Sequence, residues 1–195
     1  MFPELYEHVK SRATLSEESC RWLFEFACRC SSIVGACAEI GVYKGGTAYL
    51  IAAACPAKQL HLFDTFAGQP QDDTDGAHRQ RDFADTSLED VKGFLACHSN
   101  VVFHPGIFPD TLADTTDKAF AFIHFDADTY QATSAFTKLM WPLVVPGGMV
   151  LMHDYGDPNC PGVERAMKEA NLLPQWRHGS YHQALFVKSG SSHAH

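Results

Sequence analysis

From Ile33 onward the chain alternates short apolar runs with segments of helical length and amphipathic spacing. Apolar runs near 36–41, 59–64, 100–103, 119–126 and 148–153 predict strands, and 45–54, 87–96 and 130–141 predict helices. Strand alternating with helix implies a parallel sheet covered on both faces. Two further runs, 172–177 and 183–188, flank His178-Gly179-Ser180-Tyr181 and predict a terminal antiparallel pair. Ahead of this core, 3–12 reads as an amphipathic helix. Thr14, with Glu17 three positions later, has capping-box spacing and predicts a second helix through about Arg29. Its apolar stripe of Trp22, Leu23, Phe26 and Ala27 is a packing face.

The segment 68–86 breaks this rhythm. It contains Gln69-Pro70-Gln71-Asp72-Asp73-Thr74-Asp75-Gly76, then His78, Arg79 and Arg81, and offers few residues to a core. Such an excursion is a mobile lid or a disordered surface loop, and its place after the carboxyl end of a strand favours the lid. With 195 residues and 46% hydrophobic content, the chain supports one well-buried core. The expectation is a single α/β domain over 1–195, with N-terminal helices in 1–32, a core in 33–188 and a loose tail at 189–195.

Charge narrows the partners. A formal net charge of −8 argues against nucleic acid and against anionic membranes, which demand clustered Lys and Arg. Small ligands remain. Glu4, Glu7, His8 and Lys10 leave no apolar signal core at the start, and no run approaches the roughly 18 apolar residues of a membrane span. A soluble, cytoplasmic protein is expected. The seven cysteines form an odd set without paired CxxC units, as reduced buried thiols do.

Chemistry concentrates at three strand ends. The stretch Ala38-Glu39-Ile40-Gly41-Val42-Tyr43-Lys44-Gly45-Gly46-Thr47 reads as strand, tight turn and helix start, where free N–H groups and missing Cβ atoms admit a nucleotide-type ligand. Its Gly41-x-x-x-Gly45-Gly46 spacing is not the GxGxxG of dinucleotide dehydrogenases. Glu39 shares a strand face with Gly41 and would set a carboxylate beside a positively charged ligand. Asp64 ends the next strand 23 positions after Gly41, where an acid accepts hydrogen bonds from ribose hydroxyls; Thr65 and Phe66 could line the same ligand.

The third site is the pair of runs ending in Asp126-Ala127-Asp128 and His153-Asp154. Neighbouring parallel strands would bring Asp126 and Asp154 to one sheet edge, where two acids repel unless a cation joins them. Oxygen ligands suit magnesium, whereas His153 in the set moves preference toward manganese, iron or zinc. Asp128 serves equally well as a cap for the helix starting near Tyr130.

These residues resemble the class I S-adenosylmethionine-dependent methyltransferases, and within them the macrocin O-methyltransferase-like family, which methylates sugar hydroxyls in natural products. Glu39-x-Gly41-x-Tyr43-x-Gly45-Gly46 is similar to the family's cofactor loop, and Asp64-Thr65-Phe66-x-Gly68-x-Pro70 to a second family segment. Gly106-x-Phe108-x-Asp110-Thr111-Leu112, Asp126-x-Asp128-x-Tyr130-x-x-Thr133 and Pro146-Gly147-Gly148 leading to Asp154-Tyr155 follow in order. The resemblance implies a doubly wound Rossmann-like methyltransferase sheet of seven strands, mostly parallel with a terminal antiparallel strand. It implies S-adenosylmethionine over Glu39, Gly41, Tyr43, Gly45, Gly46, Thr47, Asp64, Thr65 and Phe66. It also implies a divalent metal, magnesium by the family pattern, at Asp126, His153 and Asp154. His153 stands where the family commonly has an acid.

The expected activity is therefore metal-assisted O-methyl transfer to a small polyhydroxylated acceptor, with Asp126 and His153 as catalytic residues and His124, His178 and His182 as further candidate bases. Other readings stay open: a non-haem metal oxygenase using His124, Asp126 and His153, an NAD-dependent oxidoreductase, or a non-catalytic adenosylmethionine-binding protein. A homo-oligomer is also left open.

Overall fold

A computed structural model describes residues 1–190, so most of the expected tail, 191–195, lies outside the described residues. Seven strands form one sheet: β1 (Ala36–Ile40), β2 (Leu60–Asp64), β3 (Val101–Pro105), β4 (Phe120–Phe125), β5 (Val144–Met152), β6 (Trp176–His178) and β7 (Gln183–Val187). Their order across the sheet is β3-β2-β1-β4-β5-β7-β6. Pairs from β3 through β5 are parallel, and β7 runs antiparallel to both neighbours. The doubly wound architecture is as the sequence implied.

Strand alternation sorts β1 between two cores. Cys37 packs with α1 (Phe2–Val9), α2 (Glu17–Cys30), α3 (Gly46–Ala54) and α4 (Leu88–Phe94) on one face. Ala36, Ala38 and Ile40 face α5 (Tyr130–Leu139) and α6 (Pro161–Glu169) on the other. Burying side chains such as Leu23, Ile51, Phe122 and Phe136 contributes about 1.5–3 kcal/mol each. No helix of the described residues is long and apolar enough to cross a membrane.

Four elements differ from expectation. The strand expected over 172–177 forms only at Trp176–His178. The second helix is capped by Ser16, whose hydroxyl accepts from the Ser19 N–H at 3.1 Å, not by Thr14. Helix α6 is absent from the sequence prediction. Strand β5 begins at Val144, four residues early, because the Pro146-Gly147-Gly148 stretch stays in the sheet through a register irregularity opposite Phe120–Phe122.

Candidate active site

The carboxyl ends of β1, β2, β4 and β5 open into one cavity of about 620 Å3. The sheet's own ladder sets its floor: the Asp126 N–H donates to the Ile40 carbonyl at 2.8 Å, and the His153 N–H to the Phe125 carbonyl at 2.9 Å. Both acids predicted for one sheet edge are therefore neighbours.

On the β1–β2 side, Asp64 organises the glycine turn. One carboxylate oxygen accepts the Val42 N–H at 2.6 Å and the Tyr43 N–H at 2.9 Å; the other accepts the Phe66 N–H at 2.7 Å. Gly41 has φ +83, and a Cβ there would overlap the Asp126 carbonyl, so only glycine lets β1 end beneath the loop after β4. Tyr43 has φ 52, and Asp128 and Asp154 have φ 59 and 57. Left-handed backbone at non-glycine residues costs of order 1–3 kcal/mol each and clusters where a site is held in a set shape. Gly41, Tyr43, Thr47, Asp64 and Thr65 all line the cavity.

Four predicted cofactor residues do not line it. Glu39 is fully buried beneath α3, its carboxylate 2.8 Å from His124 Nδ1. It shares the Gly41 face as expected, but that face is the covered one. Burial raises its pKa above the ordinary carboxylate value, even against the pull of His124 and Thr47. Positions 45 and 46 are glycine for packing: a Cβ on Gly45 would meet Val91 at 2.9 Å, and one on Gly46 the Ala13 nitrogen at 2.6 Å. Phe66 turns into the core beside Phe103, ring centroids 6.0 Å apart.

On the β4–β5 side, His153 Nδ1 sits 2.9 Å from Asp154 and 3.3 Å from Asp126. Burial works against a charged imidazole there, but Asp126 and then Asp154 outweigh it, and the His153 pKa stands well above the ordinary histidine value. For Asp154, burial is outweighed by the His153 contact, and its pKa falls below the carboxylate range. Asp128 does not cap α5; Thr129 does, accepting the Ala132 N–H at 3.2 Å. Asp128 turns inward, where burial and then the Asp154 and Asp126 charges push its pKa well up. Three carboxyl groups and one imidazole thus share one wall.

The ligand atoms of Asp126, His153 and Asp154 all lie within 4.8 Å of one another. Two carboxylates and an imidazole fit a divalent cation, with the nitrogen favouring manganese or zinc over magnesium. His124 lies elsewhere, on the buried Glu39 side, so the set imagined for an oxygenase is not assembled. His178 and His182 are likewise outside the cavity lining.

Sequence reading missed Arg12, His78 and Phe108 in the lining. Arg12 reaches from the end of α1 to the Lys44 carbonyl at 2.9 Å and to Asp90, a long-range contact with no local signal. The 68–86 segment spans the cavity between its two sides. Thr86 donates to the Tyr43 carbonyl at 2.6 Å, and Gln69 Nε2 to Asp128 at 3.1 Å.

A family model described as Macrocin-O-methyltransferase (TylF) matches residues 27–175. The 8-demethyl-8-(2,3-dimethoxy-alpha-L-rhamnosyl)-tetracenomycin-C 4'-O-methyltransferase of Streptomyces olivaceus is 27% identical over 66% of this chain and 56% of its own. The demethyldecarbamoylnovobiocin O-methyltransferase of Streptomyces niveus is 28% identical over 71% of this chain and 59% of its own. The chain thus matches little more than half the length of these relatives. Among solved structures, the calicheamicin methyltransferase CalS11 superposes with a TM-score of 0.74 at 20% identity, covering 95% of this chain and 90% of that one.

Proposed function

Because the chain belongs to the macrocin O-methyltransferase (TylF) family, we propose that it transfers the methyl group of S-adenosylmethionine to a hydroxyl of a small polyhydroxylated acceptor, a sugar or a sugar-bearing natural product. One observation carries this reading: the glycine turn with Asp64 and the cluster Asp126, His153 and Asp154 open into the same cavity. Of the relatives named above, the Streptomyces olivaceus enzyme is named for a rhamnosyl-bearing tetracenomycin and the Streptomyces niveus enzyme for demethyldecarbamoylnovobiocin.

In this reading the adenosyl group lies against Gly41, Tyr43, Thr47, Asp64 and Thr65. Asp64 holds the turn through three backbone N–H groups and shares its remaining lone-pair capacity with the ribose. Asp126, His153 and Asp154 would hold a divalent cation, which when bound would lower the pKa of the acceptor hydroxyl. The acceptor oxygen forms its new bond to the methyl carbon opposite sulfur, the carbon–sulfur bond breaks, and the sulfur keeps that electron pair as a neutral thioether. Asp126, in the cavity lining, accepts the hydroxyl proton. His153, wedged between the two acids, fixes their separation. The 68–86 segment excludes water from the reacting atoms.

Methyl transfer from isotopically labelled S-adenosylmethionine to a panel of free and aglycone-linked sugars, with manganese, with magnesium and with chelator, tests this. The proposal expects a labelled methyl ether whose formation falls at least about tenfold in chelator. Label on nitrogen or carbon acceptors only, or no binding of S-adenosylmethionine at all, would overturn it.

A further inference from the structure

A second group of ligating side chains lies on the same cavity wall and has no part in the proposed transfer. His78 comes from the 68–86 segment, Asp128 from the loop between β4 and α5, and Cys160 from the N-cap of α6. Their ligand atoms all lie within 4.8 Å of one another, and His78 Nε2 is 3.9 Å from Asp128 Oδ2. Zinc bonds of about 2.0–2.3 Å in a tetrahedron place ligand atoms roughly 3.3–3.8 Å apart. Movements of about 1 Å per side chain would therefore close this set on an ion.

The chemistry of the three groups is that of a zinc-type site rather than of a magnesium site: imidazole, carboxylate and thiol. His78 also has the support that ligating histidines use. Its Nδ1 lies 3.5 Å from Asp82 Oδ2, so the nitrogen facing Asp128 is left for an ion while the other meets a carboxylate. The ring is further fixed against Phe83, centroids 5.4 Å apart. Cys160 is buried. Its thiol would give up its proton on binding an ion.

We infer that His78, Asp128 and Cys160 form a second cation site, of zinc type, which latches the 68–86 segment across the cavity. The segment is already tied to the same side by neutral and surface contacts: Gln131 to Thr74 at 3.0 Å, the Ala77 N–H to the Asn159 carbonyl at 2.8 Å, and the ion pair of Arg165 with Asp75. An ion at His78 adds a second link between the segment and the acidic wall, beside the bond from Gln69 Nε2 to Asp128 at 3.1 Å. The fourth coordination position is left to water or to an acceptor oxygen. This inference does not depend on methyl transfer.

Cobalt(II) is the probe, because a thiolate ligand adds charge-transfer absorption in the near ultraviolet that carboxylate and imidazole ligands do not. Titration of the whole protein should raise that band to one equivalent per chain. Cys160→Ser should abolish it, His78→Ala should weaken cobalt binding by tenfold or more, and Asp126→Asn should leave the band in place. That last variant separates this site from the one proposed for catalysis. A band that persists in Cys160→Ser, or cobalt affinity unchanged in His78→Ala, overturns the site. Should the serine variant fail to fold, His78→Ala, on the surface segment, decides alone. Zinc should also slow amide exchange across 68–86 at least tenfold in wild type and not in His78→Ala; equal exchange in both overturns the latch.

Discussion

Asp64→Asn exchanges one carboxylate oxygen for an NH2 group in the side chain that holds the glycine turn. In wild type, one oxygen accepts two backbone N–H groups and the other accepts one, at 2.6, 2.9 and 2.7 Å. Asparagine can keep its oxygen toward Val42 and Tyr43, but its NH2 then faces the Phe66 N–H, donor against donor. Phe66 is buried, so that N–H loses its partner at a cost of about 1–3 kcal/mol. The two retained bonds lose their charge assistance as well. A total near 2 kcal/mol follows, which is roughly a 30-fold factor in an equilibrium constant. Since the turn must hold this shape to receive the adenosyl group, calorimetric titration should show S-adenosylmethionine binding weakened by about that factor. Thermal unfolding should drop by about 4–8 °C. Asp126→Asn should change cofactor affinity by less than about threefold while abolishing transfer. Wild-type affinity and unfolding in Asp64→Asn would refute the assignment of the turn.

Glu39→Ala should cost about 3 kcal/mol in urea unfolding, because it strands His124 in a buried position; an unchanged midpoint contradicts this. Glu39→Gln supplies a pH test. The folded state binds the Glu39 proton more tightly than the unfolded chain does, so its stabilising effect is complete below the ordinary glutamate pKa and is lost as pH rises through the folded value. Wild type should lose stability relative to Glu39→Gln over that interval, and parallel profiles would contradict it. His153→Asp should shift the preferred ion from manganese toward magnesium, read from chelator-reversed activity; unchanged preference would remove His153 from the ligand set. Arg165→Ala breaks a half-exposed ion pair with Asp75 and should cost at most about 1 kcal/mol of global stability. Amide exchange in 72–78 should nonetheless accelerate, and protection equal to wild type would show that the pair does not hold the segment.

The sheet was legible because its strands are apolar runs closed by glycine or aspartate, and their order along the chain fixes which ends meet. Asp126 and Asp154 could be paired from sequence for that reason. Helix α6 carried a signal that was overlooked: Pro161 at its first position, then Val163, Ala166 and Met167 at helical spacing. The cap of α2 was ambiguous locally, and the hydroxyl that reaches an amide is Ser16. Glu39 illustrates a deeper limit. Period-2 alternation placed it on the Gly41 face, but which helices cover that face is decided by packing far along the chain. Asp128 and Phe66 depend on left-handed backbone at single residues, which redirects a side chain without a compositional mark. Arg12 meets Lys44 and Asp90, and His78 meets Asp128, only after folding, dozens of positions away.

In the proposed reaction the cofactor's methyl group lies next to the cation that Asp126, His153 and Asp154 would hold. Relaxation of carbon-13-labelled S-adenosylmethionine methyl protons by bound manganese measures that directly. Strong broadening is expected in wild type and in Cys160→Ser, and its loss in Asp126→Asn with cofactor still bound. A sharp methyl resonance in wild type saturated with both ligands would contradict it.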